Sequence, residues 1–202
     1  MPGTDIKFHV EIKALVFIAF VIYFAPFEFI AAYLSAIVFH EAGHLFCLYF
    51  FSKKIYSVKF ELKGLAIEHE GNLTTFQTML CSATGPASGL LYAYACSAIS
   101  ARIMTEFFSL CAGLSLSLSF FNLLPVVPLD GAMVLKSVLE ILKIRNPSKV
   151  TYISSLLFSI SLLTLALYLM SDGKGYGLAM MSIILLLCTL FDEGIVKPKD
   201  LR

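Results

Sequence analysis

The chain has 202 residues, of which 58% are hydrophobic and 14% are charged, whereas a soluble domain carries about a quarter charged residues. This composition excludes an ordinary soluble protein and predicts an all-α polytopic membrane protein. The formal net charge of +1 gives no basis for a nucleic-acid partner.

Apolar runs along the chain predict about six membrane-spanning helices. In chain order, the predicted spans are 14–26, 29–51, 78–101, 107–124, 151–170 and 176–191. The first span is short and ends at Pro26, so a signal peptide is its rival interpretation. We expect an uncleaved span, because residues 1–10 contain only Lys7 as a cation and no small-residue cleavage site follows the run.

In the segment 55–70, between the second and third spans, apolar residues recur with a period of two and not in the long apolar runs of the spans. Apolar residues alternate with polar residues on both sides of Lys63-Gly64, which predicts a small β-hairpin. An open strand edge beside a catalytic site could bind an extended substrate by strand addition. A plain cytoplasmic connector is an equally good interpretation of this segment.

Residues 132–143, between the fourth and fifth spans, form an amphipathic pattern. Their apolar side chains fall on one helical face, and Lys136, Glu140 and Lys143 fall on the other. We expect a helix that lies along the cytoplasmic interface of the membrane.

Lysine and arginine residues give the orientation of the spans. Of the 15 cations, all except Arg102 and Lys174 fall in segments that six spans would leave on one side of the membrane. By the positive-inside rule that side is cytoplasmic. We therefore expect a multi-pass protein of the cell membrane with both termini in the cytoplasm.

The second span carries the pattern H-E-x-x-H at residues 40–44. Two histidines four residues apart share one helix face, about 6 Å apart along the axis, and this spacing lets both imidazoles hold one zinc ion. The glutamate between them, Glu41, can handle the proton of a water molecule at the metal. Because ionisable side chains are costly in hydrocarbon, finding three together predicts a functional site.

Catalytic zinc sites usually take three protein ligands, so a third is needed. The segment 122–131 offers Asp130, next to two prolines and followed by glycine, a combination that cannot continue a regular helix. The second and fourth spans both run from outside to inside. Asp130 is therefore expected near the inner boundary, in the same half of the membrane as His44. His44 itself should lie about 22 Å below the outer edge of a core about 30 Å thick.

These motifs resemble those of the site-2 protease family of intramembrane zinc metalloproteases. The resemblance runs from the first span to about Gly131 and includes a Gly-Pro pair at Gly85-Pro86, although Gly89 stands where the family pattern has asparagine. By its spacing alone, the pair Gly85 and Gly89 predicts close helix packing. The resemblance implies Zn²⁺ as the cofactor, and it also implies a role for each candidate site residue. The zinc ligands are His40, His44 and Asp130, and the catalytic residue that activates water is Glu41.

The compact layout looks most like the sporulation group of this family, whose members cleave a membrane-associated pro-sigma factor. Ile6-Lys7-Phe8-His9 loosely resembles the opening of that group. We expect one metalloprotease domain over 1–202, with a catalytic core at about 10–135 and two further spans at about 150–192. Its expected partner is a membrane-associated protein substrate, and regulatory membrane proteins are a second candidate class. The sequence gives no oligomeric state.

Asn122 is a candidate for binding the substrate backbone or the developing oxyanion, but capping of a broken helix end is an equal alternative. Two other functions stay open at this stage: a divalent-metal transporter and a catalytically inactive scaffold. The five cysteines are expected to be reduced packing residues. Cys47, three residues after His44, is the one that could neighbour the metal.

Overall fold

Six helices and three short strands make up the part of the chain that the computed structural model describes. The described residues are 7–10, 26–51, 55–61, 64–69, 72–171 and 173–191. The elements in chain order are β1 (Lys7–Val10), α1 (Phe27–Phe50), β2 (Ile55–Glu61), β3 (Gly64–His69), α2 (Thr75–Ile103), α3 (Glu106–Asn122), α4 (Asp130–Ile141), α5 (Pro147–Met170) and α6 (Tyr176–Phe191).

Two of the described helices, α1 and α5, are long and apolar enough to cross a membrane, with 24 residues each and mean hydropathies of 1.3 and 2.0. A helix of that length extends about 36 Å, more than the roughly 30 Å of a hydrocarbon core. The apolar helix α6 is shorter. Helices also occupy the predicted third and fourth spans, as α2 and α3. The predicted first span, 14–26, lies outside the described residues apart from Pro26.

The three strands form one sheet in the order β1, β2, β3. Strands β2 and β3 are antiparallel, with Val58 opposite Ile67 and Glu61 opposite Gly64. Strand β1 pairs with β2 in parallel, with Phe8 opposite Val58. The sequence analysis did not anticipate β1, because four residues are too few for an alternating pattern to be recognised.

The chain packs as two compact units. The first contains 84–119 and the described residues of 1–74. Its buried centre includes Ala32, Cys96 and Cys111.

Helix α1 is attached to α2 in this unit by aromatic and polar contacts. The ring of Phe39 stacks on that of Tyr92 with centroids 4.0 Å apart. The Tyr92 hydroxyl donates a hydrogen bond to Ser35 Oγ at 2.9 Å. Together these contacts fix the rotation of α1 about its own axis.

The second unit contains 75–83 and the described residues of 120–202. Helix α4 confirms the helix predicted at 132–143, and its place at a membrane interface stays a prediction. The helix ends with Lys143 in the left-handed region at φ 54°, and Ile144 N donates to Leu139 O at 2.9 Å, as in a Schellman motif. Thr75 Oγ1, at the start of α2, donates to Glu140 Oε2 at 3.2 Å.

Candidate metal centre

The two histidines of the motif lie one turn apart in the interior of α1. His40 is buried, with 4% of its surface exposed, and His44 is half-buried. Their Nε2 atoms are 3.3 Å apart. Two nitrogens at about 2.0–2.1 Å from a tetrahedral zinc ion lie about 3.3–3.4 Å from each other, so the imidazole pair fits zinc.

A glycine of α2 gives the His44 ring its space. A Cβ atom added at Gly85 would overlap Nε2, Cε1 and Cδ2 of His44. Any larger residue at position 85 would therefore meet the imidazole ring of His44. The glycine of the Gly85-Pro86 pair thus leaves room for the ring of a candidate metal ligand.

The same two helices also approach closely at Gly43, inside the motif. A Cβ atom at Gly43 would overlap the backbone oxygen of Thr84 and the side chain of Ser88. Ser88 Oγ lies 2.8 Å from Phe39 O, close enough to donate a hydrogen bond to the carbonyl just before His40. Close backbone approach with hydroxyl bonds is the usual way helices pack in membranes.

The pair Gly85 and Gly89 was predicted as a close helix-packing motif. The close packing is confirmed, but the two glycines serve different neighbours. Gly89 faces α3, where a Cβ would overlap Ser119 Oγ, and Ser115 Oγ donates to Gly89 O at 2.8 Å. Ser119 is fully buried, and its Oγ has no hydrogen-bond partner. A hydroxyl from α3 thus lies against the place where the family pattern has an asparagine side chain.

The predicted helix break is confirmed: α3 ends at Asn122 and α4 begins at Asp130. Asp130 is not on irregular backbone, as the prolines suggested, but is the first residue of α4. A carboxylate is favoured there by the partial positive charge of the helix N-terminus. The next residue must be small, because a Cβ at Gly131 would overlap the backbone oxygens of Leu123 and Leu124.

One group of metal-ligating side chains occurs among the residues that the structure describes: His40, His44 and Asp130. Each offers one ligand atom, and these atoms all lie within 4.8 Å of one another. Two imidazole nitrogens with one carboxylate oxygen are a known ligand set for catalytic zinc. Cys47 is buried, but it is not a member of this group.

The other two predicted site residues are half-buried. Glu41 lies between the histidines on α1, and Asn122 is the last residue of α3. An asparagine at a helix end suits the capping interpretation as well as the substrate-binding one, so the role of Asn122 stays a prediction.

Comparison with known proteins finds a family and solved structures that resemble this chain. The sequence model of peptidase family M50 matches residues 71–166. Among solved structures, the site-2 protease from Methanocaldococcus jannaschii is 18% identical, with a TM-score of 0.69 over 94% of this chain and 92% of that chain. At this identity the likeness shows the fold. No curated protein matches the chain.

The matched range contains Gly85-Pro86 and the whole segment 122–131, but it does not reach the motif at 40–44. The two histidines of α1 are therefore evidence for a metal site that is independent of the family match. Peptidases of this family are membrane-embedded zinc metallopeptidases, which agrees with the ligand group and with the two apolar helices. The predicted resemblance is confirmed: residues 71–166 match the model of peptidase family M50, and the chain has the fold of a site-2 protease.

Proposed function

We propose that the chain is an intramembrane zinc endopeptidase that cleaves a membrane-associated protein within or near the cytoplasmic half of the bilayer. The observation that carries this proposal is the ligand group of His40, His44 and Asp130 on a chain with the site-2 protease fold. The family match supports the peptidase activity.

In this proposal His40, His44 and Asp130 hold the zinc ion. Zinc, when bound, polarises the scissile carbonyl and makes a water molecule more acidic. Glu41 follows directly after one ligand on the same helix, and it takes the proton of the attacking water. It then gives that proton to the leaving amine. The substrate has to be unwound at the scissile bond, because a helix hides its carbonyl groups from attack.

The test is a cleavage assay on the purified full chain, with a co-expressed membrane protein as substrate. We expect Glu41→Gln to keep its zinc and to lower cleavage by roughly 100- to 10,000-fold, the usual contribution of a general base. Glu28→Gln is the matched control, because Glu28 is an exposed residue in the first turn of the same helix. Cleavage by Glu41→Gln at the wild-type rate would rule out Glu41 as the base.

The membrane orientation is part of the proposal. We infer a multi-pass arrangement with both termini in the cytoplasm, supported by the cations that cluster on one predicted side. Single cysteines introduced near Lys53 and Lys149 should react with an impermeant thiol reagent only when the cytoplasmic face is accessible. Labelling from outside the cell would invert the orientation.

We propose a regulatory pro-sigma factor as the substrate, on the resemblance to the sporulation group. The support is the compact layout and the Ile6–His9 segment. Co-expression with a membrane-associated pro-sigma factor should give a shortened product with the wild-type chain and none with Glu41→Gln. If cleavage is seen only with other membrane proteins, the subgroup assignment is wrong while the protease activity stands.

A further inference from the structure

The backbone between α3 and α4 leaves the helical hydrogen-bond ladder over residues 123–129, which we call the break segment. Pro125 and Pro128 have no N–H group to satisfy. Three of its remaining N–H groups find acceptors nearby in the chain: Leu124 N donates to Phe121 O, Val126 N to Leu124 O and Leu129 N to Val126 O, at 2.8–3.1 Å.

Val127 is different, because its N–H group donates to another helix. The acceptor is Ser155 Oγ of α5, at 3.1 Å. Ser155 is fully buried, and so is Val126 beside the bonded amide. The other bonded amides of residues 124–129 donate to backbone oxygens two or three residues away, whereas the Val127 amide donates to a side chain 28 residues away.

The serine hydroxyls of α5 can hydrogen-bond both to an amide and to a carbonyl group of the break segment. A hydroxyl carries one hydrogen and accepts through its lone pairs. Ser155 accepts from Val127 N and can donate to Thr151 O at 2.9 Å, and the neighbouring Ser154 donates to Pro125 O at 3.2 Å. Two adjacent residues of α5 therefore hold one carbonyl and one amide of the break segment.

We propose that Ser155, assisted by Ser154, is a positioning residue that sets the place of Asp130, an inference that rests on the proposed role of Asp130 as a zinc ligand. The break segment runs directly into Asp130, so its conformation sets where α4 begins. Without Ser155, the half-buried Val127 amide loses its hydrogen-bond acceptor, and a backbone donor left unpaired where it is only partly open to solvent is costly. The segment then shifts to satisfy that amide, and the carboxylate shifts with it.

The chain offers a matched control on the same helix. Ser159 lies one turn beyond Ser155, is equally buried, and its Oγ has no hydrogen-bond partner. Ser159→Ala and Ser155→Ala therefore remove the same hydroxyl from the same helix, but only Ser155 loses a bond to the break segment.

The experiment measures zinc affinity of the full chain in detergent, by competition with a chelator. We expect Ser155→Ala to weaken zinc binding by about 10- to 100-fold, as loss of groups that orient metal ligands does. Ser159→Ala should stay within about 2-fold of wild type, and Ser155→Thr, which keeps a hydroxyl, should recover most of the loss. The visible spectrum of the Co²⁺-loaded protein should change in Ser155→Ala, as it does in Asp130→Ala, and not in Ser159→Ala.

Equal zinc affinity in Ser155→Ala and Ser159→Ala would overturn the positioning role. If Asp130→Ala still lowers zinc binding in that case, the proposed metal centre stands. If Asp130→Ala binds zinc like wild type, the ligand assignment fails and the positioning role fails with it. If Ser155→Ala does not fold, the same measurement is made on Ser154→Ala, which removes only the bond from Ser154 to Pro125 O. We expect a loss of about 3-fold or more for that variant, and an unchanged affinity would overturn the proposal.

Discussion

The two histidines and the aspartate proposed as metal ligands lie in two regions that are built in different ways. His40 and His44 lie inside an unbroken helix of 24 residues, where the backbone satisfies its own hydrogen bonds. Asp130 follows seven residues of irregular backbone and begins a new helix. Helical geometry places the two histidines of the first region, and in the second region hydroxyl groups of α5 bond to the backbone that precedes Asp130.

The difference shows what each region needs from its neighbours. The helical region needs room, which glycine provides: Gly85 lies against the His44 ring and Gly43 against Thr84 and Ser88. The irregular region needs hydrogen-bond partners, which Ser154 and Ser155 supply. A ligand on a regular helix is therefore sensitive to added volume, and a ligand beside a helix break is sensitive to lost hydroxyl groups as well.

Removing a ligand from either region gives the largest expected effect. We expect His44→Ala and Asp130→Ala each to weaken zinc binding by roughly 100- to 1000-fold, because each removes one of the three protein ligands proposed, and zinc sites in proteins bind with up to about 10–16 kcal/mol in total. Metal analysis and chelator competition measure this. Glu106→Ala is the control, since Glu106 is also an acidic residue in the first turn of a helix. If Asp130→Ala keeps full affinity, the second region is not part of the centre.

Gly131→Ala should be the most damaging glycine change. The new Cβ would overlap backbone oxygens of residues 123–124, and backbone cannot rotate away as a side chain can. We expect a loss of about 1–3 kcal/mol in the free energy of unfolding together with weaker zinc binding. Gly113→Ala on α3 is the control, because a Cβ there meets nothing within 4 Å. Equal stability of the two variants in detergent unfolding would contradict the close approach.

Gly85→Ala sharpens the comparison by separating stability from metal binding. Its Cβ would meet the His44 ring, which can swing aside, so we expect an unfolding free energy near that of wild type. Zinc affinity should fall by about 10-fold, because the displaced imidazole no longer points its nitrogen at the ion. A variant that loses stability but keeps its zinc affinity would show that Gly85 serves packing alone.

The smallest expected effect is that of Ser88→Ala. Its hydroxyl lies 2.8 Å from Phe39 O, and interhelical hydrogen bonds in membranes average about 0.6 kcal/mol. Unfolding in detergent should show a loss of that size with zinc binding unchanged. Ser161→Ala is the matched control, because Ser161 is exposed and donates only to Leu157 O of its own helix. If the two variants have the same free energy of unfolding, the hydroxyl of Ser88 contributes nothing to stability.

The sequence predicted the parts of the site that depend on local periodicity and backbone chemistry. The four-residue spacing of His40 and His44 determines their shared face, because helical geometry is regular. Two prolines and Asp130-Gly131 predicted the break for an equally local reason, since proline lacks an N–H group and blocks the helix. At 132–143, apolar residues recur with the period of a helix, and this pattern predicted α4.

Contacts between elements could not be predicted in the same way. Nothing in the sequence distinguishes Ser155 from the many other serines in apolar helices, because its partner lies 28 residues away. The spacing of Gly85 and Gly89 indicated close packing, but it could not reveal that one faces His44 and the other faces Ser119. That Asp130 begins a helix also escaped, because residues after a proline can start a helix or stay irregular.

The bond from Val127 to Ser155 has a consequence for biogenesis. A ribosome makes the chain from its N-terminus, so every proposed zinc ligand has been synthesised by the time residue 130 is added. The acceptor that completes the break segment belongs to α5, which is made later. A nascent chain that stops short of Ser155 thus carries all three ligands but not the bond that holds Val127. If Ser155 positions Asp130 as proposed, the metal centre is complete only after α5 has been made.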